Sequence, residues 1–262
     1  MNNPIKSRDR LVSISMSAIF TALFTVLQFI PYTFMIGGAG GFLSLSDLLP
    51  PLYGIILGPF WGGLTLVLGT VVAFLMGRPL IFYGLDFLPN LAAVVAVGFL
   101  VRGKKIPAVA VNAVLLAIFL LNPLTLLFVG SIPFAWMHIV SLAVLISPLG
   151  RMAAEWVRTL DLRKISTGIA ILCLIGTMIL HLTGNILFEV IQGQLTSSIP
   201  AAAYPGIWTA VFFVYPVERA ILIVSGVLVG TPLMWFINNS HILQLGEEGS
   251  GTGVKPPDQR NE

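Results

Sequence analysis

Apolar residues occupy this chain in long blocks, at roughly 11–30, 47–58, 60–77, 85–101, 107–121, 132–149, 167–190 and 207–237. Most of these blocks are too long for buried strands, and they lack the apolar–polar alternation of a barrel wall. They predict helices, and their number predicts a polytopic membrane bundle. The second block is the exception. At about 12 residues it reaches only about 18 Å as a helix, too little to span a bilayer alone. Merging it with the third block gives seven segments instead of eight.

Charge placement separates these two counts. With eight segments, Lys6, Arg8, Arg10, Arg102, Lys104, Lys105, Arg151, Arg158, Arg163, Lys164, Lys255 and Arg260 share one side, which is twelve of the fourteen basic residues. With seven, the clusters at Arg102 and Arg151 face outward, against the positive-inside rule. The expected architecture is therefore all-α, a bundle of about six to eight transmembrane segments in a plasma membrane, with both termini cytoplasmic. Residues 1–240 form the membrane domain and 241–262 a polar tail of disordered composition.

Breaks between blocks carry their own signals. Gly58-Pro59 and Gly62-Gly63 supply a tight turn, because proline ends a helix and glycine permits unusual dihedrals. Residues 35–46 contain Gly37, Gly38, Gly40 and Gly41 among apolar neighbours, an external loop that packs over something. Residues 151–164 read as an amphipathic connector at the inner interface. The first block is longer than a signal-peptide core and has no cleavage site leading into a soluble domain, so it reads as a first membrane helix.

Composition sharpens the class. Hydrophobic residues make up 56% of the 262 positions and charged residues 10%, against roughly 25% charged in soluble domains. A net charge of +3 follows the loop lysines and arginines and points to no nucleic-acid partner. The single cysteine, Cys173, excludes an intramolecular disulfide and a cysteine-rich metal site, and reads as a small buried apolar residue.

Few polar groups interrupt the blocks, so each is a candidate. Asp47 and Asp86 fall at outer ends of segments, with Arg78 between them and Asn90 one turn beyond Asp86; each acid suits either a helix cap or a binding group. His181, Asn185 and Glu189 recur every four residues and predict one polar stripe lining an outward-facing pocket. Glu218 and Arg219 follow Pro216 inside the last block. Adjacent helix residues diverge by about 100°, so each is expected to meet a different helix, with Glu189 as the partner for Arg219. Both a structural and a ligand-contacting role fit them. Tyr204, Trp208 and Tyr215 suit either stacking on a flat ligand or an interfacial belt. His138, alone in an apolar block, reads as a packed residue.

Two resemblances follow from these residues. Phe134-x-x-x-His138 and His181-x-x-x-Asn185 resemble two motifs of CAAX-type intramembrane proteases. Their glutamate-pair motif has no counterpart here, since no glutamate precedes Glu155. Over more of the chain, the sequence resembles the substrate-binding S component of energy-coupling factor (ECF) transporters. Ala18-Ile19-Phe20-Thr21-Ala22 matches the A-x-x-x-A docking pattern, a pair of small residues that lets another helix approach closely. A glycine-containing loop, Leu45-Ser46-Asp47, Gly58-Pro59-x-x-Gly62-Gly63 and a late Tyr215-Pro216-Val217-Glu218-Arg219 follow in the family's order. The family core has six helices, so the blocks within 107–149 would be an insertion.

The resemblance implies a binding protein without catalytic role, cofactor or resident metal. It would capture a vitamin-like, metal-related or other small molecule from outside, gate it with the loop, and dock through Ala18 and Ala22 onto a transmembrane coupling subunit. Partner ATPases would supply the energy, in keeping with the lack of a Walker A sequence in this chain. The expected substrate-binding residues are Asp47, Asp86, Asn90, His181, Asn185, Glu189, Trp208, Glu218 and Arg219. A stand-alone secondary transporter, using Glu189, Glu218 and Arg219 for ion coupling, is the alternative from another class.

Overall fold

The computed structural model describes residues 4–37 and 41–240. Gly38, Gly40 and the tail from 241, with its expected disorder, lie outside the described residues. The fold is all-α. Among the described residues it comprises α1 (Pro4–Leu27), α2 (Leu49–Ile56), α3 (Gly58–Leu75), α4 (Leu88–Val101), α5 (Lys105–Leu121), α6 (Trp136–Ile146), α7 (Pro148–Trp156), α8 (Leu162–Leu187) and α9 (Tyr204–Asn239). Two short antiparallel hairpins complete it: β1 (Pro31–Phe34) with β2 (Phe42–Ser44), and β3 (Phe128–Val129) with β4 (Ile132–Pro133).

Every apolar block of the sequence contains a helix. Among the described residues, three helices are long and apolar enough to cross a membrane, at 58–75, 162–195 and 201–239. The pair α6 and α7, bent by 72° at Ser147, makes a fourth if it is taken as one span. The bend has a local cause: the Ser147 hydroxyl caps α7 by accepting from the Leu149 N–H at 3.2 Å, and Pro148 starts the new helix. The connector expected over 151–164 is therefore split. Its first half is α7, and α8 begins afresh at Leu162, where the Asp161 carboxylate accepts from the N–H groups of Arg163 and Lys164.

Helix α8 is the central post, packing against α2, α4, α5, α6, α7 and α9. Its most apolar stretch is 72% buried, against 28% for α9, which lies at the edge. Helix α2 is short yet wholly buried. It ends at a sharp break where Gly58 takes φ +76°, a backbone conformation that side chains resist. The Arg102 guanidinium lies over that glycine and donates to the Leu57 carbonyl at 3.1 Å, satisfying an end carbonyl of α2. From α4, Gly98 lets the turn come closer still: a Cβ there would sit 2.5 Å from the Pro59 nitrogen.

Helix α1 packs on α3 through one face. Phe24 is fully buried, and Thr25 and Gln28 donate to the Gly69 carbonyl at 3.2 and 3.1 Å. Ala18 and Ala22 are exposed, as are Ile19 and Val26.

Candidate functional site

One cleft gathers most of the scattered polar residues. The hairpin β1–β2, the connection from Arg78 to Asp86, and the inner faces of α4, α8 and α9 form its walls. Its empty space is about 950 Å³ when the open mouth is counted. Asp47 reaches it from the short turn ahead of α2, Asp86 from the connection into α4, Asn90 from α4, His181 and Asn185 from α8, and Trp208, Glu218 and Arg219 from α9. The glycine-containing loop stands at its edge, with Phe34, Met35 and Ile36 before the glycines and Phe42 after them.

Each position has a local origin. His181 and Asn185 share one face because α8 is regular there. Beyond Leu187 the chain winds as a π-helix over Phe188–Leu195, and the wider turn ends the four-residue repeat. Glu189 is carried off the stripe. It is fully buried outside the cleft, where its Oε1 accepts from the Thr125 hydroxyl at 2.7 Å. The expected Glu189–Arg219 pair is not formed among the described contacts. Arg219 instead donates through Nη2 to the Tyr32 hydroxyl at 3.0 Å and lies 3.6 Å from Oε2 of its own neighbour Glu218. Both side chains are long enough to bend back toward each other, so the 100° divergence of their Cβ atoms does not keep them apart.

Asp86 plays a supporting part. Its carboxylate accepts from the N–H groups of Ile81 and Phe82 at 2.9 and 3.0 Å, which fixes the turn ahead of α4. Arg78, which the sequence placed only in a loop, is a cleft residue. It donates to Gln28 Oε1 at the end of α1 and sits 5.9 Å from the Phe42 ring centre. Burial lowers its affinity for its proton from the ordinary arginine value, and the charges of Asp47 and Asp86 oppose that shift. Two arginines thus hold the hairpin, Arg219 through Tyr32 and Arg78 through Phe42. A sequence signal for Arg78 existed: the eight-segment reading leaves it as the one loop basic residue away from the side shared by twelve others. Tyr32 had none.

The aromatic residues are interior, not a belt. Tyr204, Trp208 and Tyr215 are all buried. The Trp208 indole N–H donates to the Leu124 carbonyl at 2.9 Å, and the Tyr215 hydroxyl to the Phe134 carbonyl at 3.0 Å. Trp208 and Tyr215 present ring surface to the cleft, while Tyr204 lies outside it. Behind Tyr215, His138 is packed as expected, its ring stacked on His181 with centres 5.3 Å apart.

Several buried polar atoms on residues that line the cleft have no hydrogen-bond partner among the described residues: Asn90 Oδ1, His181 Nδ1, Asn185 Nδ2, and both Nε and Nη1 of Arg219. Leaving a buried polar atom unpaired costs about 1–3 kcal/mol each. Their convergence on one cavity is the chemical character of the site: donors and an acceptor set among aromatic walls. Among the described residues, no group of three or more histidine, cysteine or acidic side chains converges to hold a metal.

No family model matches the chain, and no solved structure does. It is similar to an uncharacterized protein of Methanocaldococcus jannaschii, 27% identical over 202 residues. That alignment covers 76% of this chain and 63% of the relative, so the chain spans less than two thirds of the relative's length.

Proposed function

We propose that this chain is the membrane-embedded, substrate-binding S component of an ECF-type importer, and that the cleft holds a small vitamin-like molecule captured from outside. The observation that carries the reading is the cleft itself. It unites Asp47, Asn90, His181, Asn185 and Arg219, drawn from distant parts of the sequence, beside the glycine-containing hairpin, with polar atoms left unpartnered.

In this reading the helices form a bundle of six to eight spans with cytoplasmic termini. Broad exposure of large apolar side chains supports it. Leu68 and Leu75 on α3, Ile106 and Leu121 on α5, and Phe213 and Leu228 on α9 all face outward, a surface that suits lipid rather than water. The hairpin is the gate, and Ala18 and Ala22 on the exposed face of α1 dock the coupling subunit, whose ATPases drive transport.

Co-purification with a coupling subunit and two ATPases, dependent on Ala18, is the test. Ala18→Leu should abolish the assembly and leave the chain folded. Uptake by proteoliposomes containing this chain alone, without ATP, would refute the reading in favour of an ion-coupled transporter. The stacking of His138 on His181, with Phe134 and Asn185 one turn from each in sequence, favours a second reading as a CAAX-type protease. Cleavage of a prenylated peptide that is lost in His138→Ala would select it.

A further inference from the structure

Arg219 is a charge with most of its hydrogen-bonding capacity unspent. It is 1% exposed and lines the cleft, yet Nη2 alone is engaged, by Tyr32 and more distantly by Glu218. Nε and Nη1 are buried without an acceptor among the described residues. A guanidinium stays protonated in proteins, so the group cannot relieve this by losing its charge. Burying an incompletely paired charge costs several kcal/mol, and an anionic acceptor brought from outside the chain removes that cost.

The other groups narrow the ligand further. Asp47, Asp86 and Glu218 border the same cavity, and of its two cations Arg78 already gives a donor to Gln28 and lies against Phe42. A dianion would meet three carboxylates there. A cation would leave the Arg219 atoms unpartnered. A single carboxylate matches the two unpartnered donors of Arg219, Nε and Nη1, and its plane suits the guanidinium plane. Ring surface from Phe34, Phe42, Phe82, Phe188, Trp208 and Tyr215 lines the remainder, which calls for a flat body.

We infer that the cleft takes an organic monocarboxylate with a flat aromatic or heteroaromatic body, and that Arg219 holds the carboxylate. Asn185 Nδ2 and Asn90 Oδ1 then supply one donor and one acceptor for polar edges of the same ligand. This assignment rests on the reading of the cleft as a small-molecule site and adds the charge and shape of what it admits.

The test uses the full chain in lipid nanodiscs and four probes: indole-3-acetate, its neutral analogue indole-3-acetamide, the cation tryptamine, and the dianion benzene-1,3-dicarboxylate. Calorimetry should show indole-3-acetate binding at least tenfold more tightly than each of the others. The preference should vanish in Arg219→Gln and persist in Arg219→Lys. The comparison among probes on the unmodified protein decides the matter even if Arg219→Gln fails to fold. Equal or tighter binding of the amide, the amine or the dianion overturns the carboxylate assignment. So does a preference for the acetate that survives in folded Arg219→Gln. In both cases the small-molecule reading stands, because a probe has bound. Binding of none of the four also overturns the assignment, and native mass spectrometry for a co-purified molecule then judges the wider reading separately.

Discussion

The substitution Gly98→Ala tests how the broken helix is built. A methyl group at Gly98 would lie 2.5 Å from the Pro59 nitrogen, 2.8 Å from its Cδ and 2.9 Å from the Gly58 carbonyl carbon. These are backbone and ring atoms that cannot swing aside as a side-chain tip would. Restoring ordinary contact at 3.4 Å requires the turn to retreat by about 0.9 Å. Overpacking of this kind costs about 1–3 kcal/mol, and the rigid neighbours place it at the upper end. Replacing glycine inside a helix returns up to about 1 kcal/mol, so the net loss should be about 2 kcal/mol. At about 2–4 °C per kcal/mol, the midpoint of thermal unfolding in mild detergent should fall by about 4–8 °C. Gly206→Ala is the control, since nothing lies within 4 Å of a Cβ there and its φ is not positive. That variant should unfold at or above the original midpoint. A Gly98→Ala protein as stable as the unmodified one would refute the claim that the Gly58-Pro59 turn is held against α4 by close backbone approach.

Other residues separate cleft from scaffold. Asn185→Ala should weaken binding of the cleft ligand by up to about tenfold, the value of one hydrogen bond. Glu189→Gln, buried away from the cleft on Thr125, should leave that affinity within about twofold; calorimetry on both variants checks the contrast, and equal losses would place Glu189 in the site after all. Asp86→Ala removes the acceptor for two backbone N–H groups, which should cost about 1–3 kcal/mol and expose residues 78–87 to limited proteolysis; an unchanged cleavage pattern would deny Asp86 its turn-fixing role. Tyr53→Phe breaks the 2.8 Å bond from its hydroxyl to the Phe20 carbonyl and should lower stability by about 1 kcal/mol without touching ligand affinity.

What the sequence made legible follows from the kind of information each feature carries. Block lengths and breaks located the helices because apolar runs and the Gly58-Pro59 break act locally. Rare polar residues in apolar blocks were readable as site candidates, since burial of Asn90, His181 or Arg219 needs a reason wherever it occurs. Pairing was not readable in this way. The partner of Arg219 depends on where β1 lies over α9, and Tyr32 is separated from it by 187 positions. Nor did spacing expose the π-helix at Phe188–Leu195, because a four-residue polar repeat reads as continuous whether or not the winding changes beneath it.

That change of winding bears on how the cleft is organised. Had α8 stayed regular to Glu189, a third polar group would have joined His181 and Asn185 on the stripe, adding a carboxylate to a cavity already bordered by Asp47, Asp86 and Glu218. Turning Glu189 onto Thr125 removes that charge from the wall and leaves Arg219 facing fewer competing anions from within the chain. Nearby, Gln192 from the same π-helix donates to the Ile81 carbonyl at 3.0 Å, in the connection that also bears Arg78 and Asp86. The irregular segment thus shapes the cleft twice, by taking an acid out of it and by tying down the loop along its rim. A regularised segment should therefore alter ligand charge preference before it alters fold. Deleting one residue within 188–195 tests this: the preference for indole-3-acetate over indole-3-acetamide should shrink in a protein that still unfolds cooperatively. An undiminished preference in such a protein would show that the π-helix has no part in setting the charge of the cleft.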